Sequence, residues 1–468
     1  MEIPSVSPDK RIWYNFIMLI FDTICALATP PYKSALALIR LSGPKCLNVI
    51  SGMLKMNVKT LIPNHTFFSH IYRDKKDPSS LIDEAMLTYY QAPKSYTGFD
   101  TVEFSVHGNM IIVEELLNAL VDHGARRAKP GEFSAQAYYN GKMDLLKSEG
   151  INDLINANSK RAKDIASKTL SGKNSETMNK LKTTLLDDIS ELEYFVEDQY
   201  TDEKDDYDEE LNHVRKSLSD ELNLLSRTIE KTKRCNREYQ GINVCIAGEP
   251  NVGKSSLLNA ILNEDKAIVS PIAGTTRDVV EGEKEIDGIL FRFKDTAGIH
   301  KSDDLVENLG IEKSYRMVKE ADLVLLASDS GFEDIEKDEE FIKLIQDKPC
   351  IRIATKKDIN RNLKGADIAI CSHSDDLSRL YRLMEERLDI DKKEDSAFLG
   401  QREEDFLVQI ASEIEEAIHA IDDTHQIDIV SDDIRKAVAT INDMMGKQVT
   451  QTMEDIYATL FSKFCLGK

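Results

Sequence analysis

The octet Gly248-Glu249-Pro250-Asn251-Val252-Gly253-Lys254-Ser255 has a glycine, four free positions and then Gly-Lys-Ser, the spacing of a loop that grips phosphates. Glycines let backbone N–H groups close on phosphate oxygens, and a helix N-terminus behind them adds positive potential. In such a loop Lys254 reaches the terminal phosphates and Ser255 ligates magnesium. The flanks fit: Ile242 to Ala247 reads as a buried strand, and Leu257, Leu258, Ile261 and Leu262 mark an amphipathic helix. A turn that only happened to precede Lys-Ser would need neither flank.

Further motifs point to hydrolysis of a guanine nucleotide. The run Ile289 to Phe293 leads into Asp295-Thr296-Ala297-Gly298, where Asp295 can bond a metal-bound water and the Gly298 N–H can sense a γ-phosphate. Thr276, in Gly274-Thr275-Thr276, stands where a switch threonine completes a magnesium shell. Thr355-Lys356-Lys357-Asp358 follows another strand-like run; Asp358 can accept both donors of guanine's Watson–Crick edge, which adenine does not offer. GTPases usually carry Asn where this chain has Thr355, so one amide is missing from the guanine contact. The last base-supporting loop falls near Cys371-Ser372-His373. The expected GTP site therefore takes Asn251, Val252, Gly253, Lys254, Ser255 and Ser256 from the phosphate loop. It takes Ser270, Pro271, Ile272, Ala273, Gly274, Thr275 and Thr276 from the switch, and Asp295, Thr296, Ala297, Gly298, Thr355, Lys356, Lys357 and Asp358 from the later loops.

Activation of the hydrolytic water must differ from that of the small regulatory GTPases, because Ile299 follows Gly298 where they place a glutamine. Asp303, Asp304 and Glu307 are candidates, although an acid at any of these positions is more often simply solvated. Asn251, with backbone carbonyls of 270–275, could hold a large monovalent cation where other enzymes insert an arginine.

These loops need elements to hold them. The chain has 468 residues, 41% hydrophobic and 30% charged, enough for about three domains with cores. Its net charge of −22 argues against a broad sequence-independent grip on nucleic acid, without excluding a small local RNA contact. Seven scattered cysteines suggest neither a zinc cluster nor a disulfide framework, so a reducing cytoplasm is the default. Asn15 and Asp22 interrupt the one stretch that resembles a secretory signal, and no other approaches the roughly 20 apolar residues needed to span a bilayer. Residues 18–140 read as α+β, with strands over Met18 to Ala28, Ala35 to Leu41, Glu84 to Tyr90 and Thr101 to Val106, and a helix over Ile111 to Val121. Arg40 and Glu103 in those strands are either outward-facing or poised at a cleft, and composition alone favours the solvated reading.

From Lys142 apolar residues recur at threes and fours for nearly a hundred residues, interrupted by the acidic run Glu197 to Glu210. Between 242 and 380 strands and helices alternate as in a doubly wound parallel sheet, with Val279 to Ile286 among its strands; helices resume after about 390. The expected fold class is a multidomain α+β and α/β protein: an N-terminal α+β domain over 18–141, helices over 142–238 and 386–468, and an inserted phosphate-loop GTPase domain over 239–385. Residues 1–17 are expected to be either a disordered extension or the product of a mis-set start.

Beyond the nucleotide motifs the chain carries Asp22-Thr-Ile-Cys-Ala-Leu-Ala-Thr-Pro-Pro31, Ile39-Arg-Leu-Ser-Gly-Pro44, Ser95-Tyr-Thr-Gly98 and Val106-His-Gly108. It also carries Lys129-Pro-Gly-Glu-Phe133, Asn140-Gly-Lys142 and the terminal Phe464-Cys-Leu-Gly-Lys468. With these it resembles the MnmE (TrmE) family of tRNA-modification GTPases from about 18 to 468. It departs at Tyr32-Lys33-Ser34-Ala35, where the family usually has Gly-Arg-Gly-Gly, and at Ser270, where it often has Thr. The resemblance implies a homodimer through an N-terminal folate-binding domain. It also implies a heterotetramer with an FAD-binding protein of the MnmG (GidA) family, and addition of a (carboxymethyl)aminomethyl group at C5 of the wobble uridine of certain tRNAs.

Carried over by position, the resemblance puts a 5-formyltetrahydrofolate-type folate on Arg40, Glu103, Lys142 and Lys468, which reverses the solvated reading of the first two. It puts potassium on Asn251, Ser270, Ile272 and Thr275, magnesium on Ser255 and Thr276, and the glutamate that acts on the hydrolytic water at Glu307. Cys465 becomes a candidate for the modification chemistry, with a buried structural thiol as the alternative. A ribosome-assembly GTPase and a non-enzymatic GTP-binding scaffold are the competing functions; the first would need a basic RNA-binding module.

Overall fold

The computed structural model describes residues 21–198, 207–263, 282–295, 314–333, 335–358, 364–372, 375–390, 398–424, 426–446, 461–465 and 467. These fall into two compact units, one of Met1–Asn152, Ser175–Leu218 and Ser412–Lys468, the other of Asp153–Asn174 and Ser219–Ala411. In chain order the helices are α1 (Cys46–Ser51), α2 (Met110–Asp122), α3 (Glu132–Tyr139), α4 (Leu145–Asn156), α5 (Lys160–Leu170) and α6 (Lys173–Asp198). There follow α7 (Tyr207–Gln240), α8 (Lys254–Asn263), α9 (Glu339–Ile345), α10 (Ser378–Arg387), α11 (Gln401–Thr424) and α12 (Ile427–Met444). No helix among the described residues is long and apolar enough to cross a membrane.

In the first unit β1 (Ile24–Leu27), β2 (Leu36–Ser42), β3 (Thr66–Tyr72), β4 (Leu81–Tyr90), β5 (Thr101–His107) and β6 (Arg126–Arg127) form a sheet ordered β3-β4-β5-β2-β1-β6. Period-two alternation sends Ile39, Leu41, Leu87, Val102 and Phe104 into a core shared with Val113, Leu116 and Leu120 of α2. The same alternation turns Arg40 and Glu103 to the other face, and the β2–β5 register sets them directly opposite each other. Strand β3 has no counterpart among the expected strands. Phe68 at 60% exposure, with Ser69 buried beside it, spoils the apolar-in, polar-out pattern that identifies a strand. The apolar stripes of α6, α7 and α12 are buried as seams; Lys182 ties α6 to Asn442 of α12 at 2.7 Å, and a two-pronged Arg215–Asp422 pair at 2.6 and 3.0 Å ties α7 to α11.

In the second unit β7 (Ile242–Gly248), β8 (Gly282–Ile286), β9 (Ile289–Asp295), β10 (Leu323–Ser328), β11 (Cys350–Ala354) and β12 (Ile368–Ala369) form a sheet ordered β12-β11-β10-β7-β9-β8. It is a central layer with cores on both faces. Val244, Ile246, Leu325 and Ile353 meet α8 and α10, while Cys245, Ala247, Val324 and Leu326 meet Phe341 of α9. The expectation of an all-parallel sheet needs one correction: β8 runs antiparallel to β9. Only Asp287 and Gly288 join the two strands, and a parallel pair would need a crossover of a dozen residues. Both turn residues take positive φ, 50° and 89°, as a tight hairpin requires.

The Gly288 carbonyl accepts the Arg161 N–H at 2.8 Å, and the Arg161 side chain meets Glu238 of α7 at 2.6 Å with both partners nine-tenths buried. Removing one member of such a pair strands the other charge out of water. Glu238→Ala is therefore expected to destabilise the chain by about 3–5 kcal/mol in denaturant unfolding, and Arg161→Met with Glu238→Leu to recover most of it. A single variant that unfolds like the wild type would show the pair to be inconsequential.

Candidate functional site

The phosphate loop begins where β7 presses against β10. A side chain at Gly248 would run into the Ala327 carbonyl, and φ there is +150°. Asn251 and Gly253 also take positive φ, 63° and 96°, so the loop curls through two residues with left-handed backbone. Lys254, the first residue of α8, is buried, and its ammonium donates to the Gly248 carbonyl at 3.1 Å and the Glu249 carbonyl at 2.8 Å. Burial holds this amine below its ordinary pKa, while the carboxylates of Asp295 and Glu249 act in the opposite direction. Ser255 Oγ donates to Asp295 Oδ2 at 2.6 Å, joining the start of α8 to the end of β9. A hydroxyl and a carboxylate in contact are the hard oxygen donors that magnesium takes, so the pair fits that ion.

On the other side of the loop Thr355 is buried; its N–H donates to the Ser328 carbonyl at 2.8 Å. Its hydroxyl lies 2.5 Å from the Val252 carbonyl and 3.2 Å from that of Ser328. Lys356, at φ +53°, donates to the Asn251 carbonyl at 3.0 Å and to Asp329 at 2.5 Å. Lys357 meets Asp375 at 3.1 Å, and the same carboxylate accepts the Cys371 N–H at 3.0 Å, which binds the base loop to the segment expected to support it. Asp358 and Ser256 are exposed. Asn251, Val252, Gly253, Lys254, Ser255, Asp295, Thr355 and Lys356 thus converge. Ser270, Pro271, Ile272, Ala273, Gly274, Thr275, Thr276, Thr296, Ala297, Gly298 and Glu307 lie outside the described residues.

A second centre lies in the first unit. Arg40 pairs with Glu103 at 2.8–2.9 Å, and its guanidinium sits 5.4 Å from the Tyr96 ring centre and 5.6 Å from that of Phe133. Its Nη1 donates to the Gly467 carbonyl at 3.0 Å, bringing the chain's C-terminal segment onto β2. Gly467 has no room for a side chain: a Cβ would lie 2.7 Å from the Ala28 Cα and the Leu27 carbonyl. Phe461 and Phe464 secure the same segment against Ala135 and Leu145. Lys142 is exposed and donates to the Pro93 carbonyl at 2.8 Å, in the loop that carries Tyr96. Cys465 is exposed, so the buried structural reading of this thiol does not hold; Lys468 lies outside the described residues.

Sequence reasoning passed over several groups that complete this centre. Tyr90 reaches Glu103 Oε2 at 3.4 Å, with its phenol pushed up by burial and by that carboxylate. Tyr96 hydrogen-bonds Ser134 at 2.8 Å, and burial raises its phenol as well. The motifs Ser95-Tyr-Thr-Gly98 and Lys129-Pro-Gly-Glu-Phe133 already contained the two aromatic faces around Arg40. An aromatic cradle beside a guanidinium–carboxylate pair suits a flat, hydrogen-bonding heterocycle, so these residues fit a pterin-like group.

Residues 23–142 match the family described as GTP-binding protein TrmE N-terminus, and residues 243–356 that described as 50S ribosome-binding GTPase. The chain is 36% identical over 463 residues to the tRNA modification GTPase MnmE of Fervidobacterium nodosum, covering 96% of this chain and 98% of that one. It is 34% identical over 466 residues to the protein of the same name from Thermotoga maritima, covering 96% and 100%. For that of Mycoplasma mycoides the figures are 35% over 464 residues, 96% and 100%. Likeness that runs through both centres and along nearly the whole length settles the kinship: the chain belongs to the MnmE family of tRNA modification GTPases.

Proposed function

We propose that this tRNA-modification GTPase is stimulated by potassium and works as a homodimer with an FAD-binding protein of the MnmG (GidA) family. Together they would add a (carboxymethyl)aminomethyl group at C5 of the wobble uridine of certain tRNAs, in the cytoplasm. The observation that carries this reading is the Gly467 carbonyl on Arg40, which joins the cysteine-bearing tail to an aromatic-lined cation in a chain that also owns a phosphate loop. A ribosome-assembly role would account for 243–356 alone, whereas the relatives named for tRNA modification extend over 96% of the chain. In this scheme 18–141 bind folate and dimerise, and 239–385 form the GTPase domain inserted between helical segments 142–238 and 386–468.

In the nucleotide site, Lys254 would leave the Gly248 and Glu249 carbonyls for phosphate oxygens, which restore the charge that burial disfavours. Ser255 and Thr276 would hold magnesium, with Asp295 bonded to its water; when bound, the ion neutralises phosphate charge. Asn251, Ser270, Ile272 and Thr275 would hold potassium, and Glu307 would orient the hydrolytic water. Asp358 would select guanine. At the other centre Arg40, Glu103, Lys142 and Lys468 would hold the folate, a carrier of one-carbon units, while Cys465 acts in the modification step.

Three measurements test the scheme. GTP turnover is expected to be faster in potassium chloride than in sodium chloride of equal ionic strength; equal rates would remove the cation site, and no hydrolysis in either would remove the role of Glu307. Lys254→Ala is expected to lower kcat for GTP about a hundred-fold or more, the scale of losing a donor that meets developing charge. Cys465→Ser should leave GTP hydrolysis at the wild-type rate and abolish wobble-uridine modification, read as the nucleoside profile of tRNA from cells carrying only that variant. A normal profile would exclude the cysteine from the chemistry.

A further inference from the structure

A threonine hydroxyl has one proton to donate, and at position 355 that proton is committed. Thr355 is 1% exposed, and its Oγ1 lies 2.5 Å from the Val252 carbonyl of the phosphate loop and 3.2 Å from the Ser328 carbonyl. Both neighbours are acceptors, so the hydroxyl must donate to one of them and keeps only lone pairs for anything else. The nearby ammonium of Lys356 spends two of its three protons on the Asn251 carbonyl and on Asp329. An asparagine in this place would carry two amide protons and could tether the loop and still donate to the base. On its Hoogsteen edge guanine presents N7, an acceptor that needs such a donor.

We infer that Thr355 is a positioning residue that ties the phosphate loop to the end of β10, and that this chain reads guanine without using N7. Recognition is then concentrated on the Watson–Crick edge, which faces Asp358. The inference rests on the proposal that this loop binds GTP and adds which edge of the base is read.

7-Deaza-GTP, in which a C–H replaces N7, is the discriminating probe, with affinities measured by displacement of a fluorescent guanine nucleotide from the full chain. The wild type is expected to bind GTP and 7-deaza-GTP equally. Thr355→Asn is expected to open a preference for GTP of about five-fold, the scale of one neutral hydrogen bond. Thr355→Val, which deletes the tether, should weaken both ligands in equal proportion and leave their ratio at one. A wild type that prefers GTP over ATP but loses about five-fold or more on 7-deaza-GTP overturns this inference alone. One that binds ATP as tightly as GTP removes the guanine site itself, and the inference with it.

Discussion

A loop that is to bind phosphate must keep its amides available, and this one does so by having its carbonyls tied. Lys356 holds the Asn251 carbonyl and Thr355 the Val252 carbonyl. Because a trans peptide points its C=O and the following N–H in opposite directions, those two bonds turn the N–H groups of Val252 and Gly253 to the loop's other side. Lys254 holds the carbonyls of Gly248 and Glu249. Most of the architecture of the second unit follows from delivering these partners. The parallel order β9-β7-β10-β11 brings Asp295, Gly248, Ser328 and Ala354 to one edge of the sheet, the carboxyl end where open α/β sheets bind their ligands.

The second centre answers a different constraint, a guanidinium largely removed from water. Such a charge is tolerated only with a carboxylate and further acceptors in good geometry. Glu103 is supplied by strand register, the Gly467 carbonyl by the tail, and the rings of Tyr96 and Phe133 face the cation. Tyr90 then occupies the second oxygen of Glu103. The tail is thus part of the support for Arg40, and the exposed Cys465 stands two residues from the point of attachment.

What the sequence disclosed, and what it concealed, follows from which atoms do the work. The phosphate loop, Asp295 and the Thr355–Asp358 segment were legible because their function needs particular side chains or glycines at fixed spacing. Most strands of both sheets were legible from alternation or from buried apolar runs. Strand β3 was not, because an exposed Phe68 mimics a core residue, and the direction of β8 is set by the two-residue turn Asp287-Gly288 and not by the strand's own residues. The partners of Thr355 and Arg40 were hidden for a more general reason: Val252, Ser328 and Gly467 contribute backbone carbonyls, which every residue possesses. For Arg40 and Glu103, 13% and 18% exposed, composition points to solvation and only the resemblance points elsewhere, because the register that pairs them cannot be read from sequence.

Both centres are closed by contacts distant in sequence, over 103 residues for Thr355 with Val252 and over 427 for Arg40 with Gly467. Chain entropy distinguishes them only weakly. Because closure entropy grows with the logarithm of length, the longer loop costs about 1.3 kcal/mol more than the shorter. A hydrogen bond from a charged donor contributes about 1.5–3 kcal/mol, and the tail adds the packing of Phe461 and Phe464, so the contact with the C-terminus outweighs its extra separation. Distance along the chain is therefore no barrier to building a site from its two ends. What limits such a site is local room, and a glycine with no space for a Cβ, at 467, is how this chain provides it.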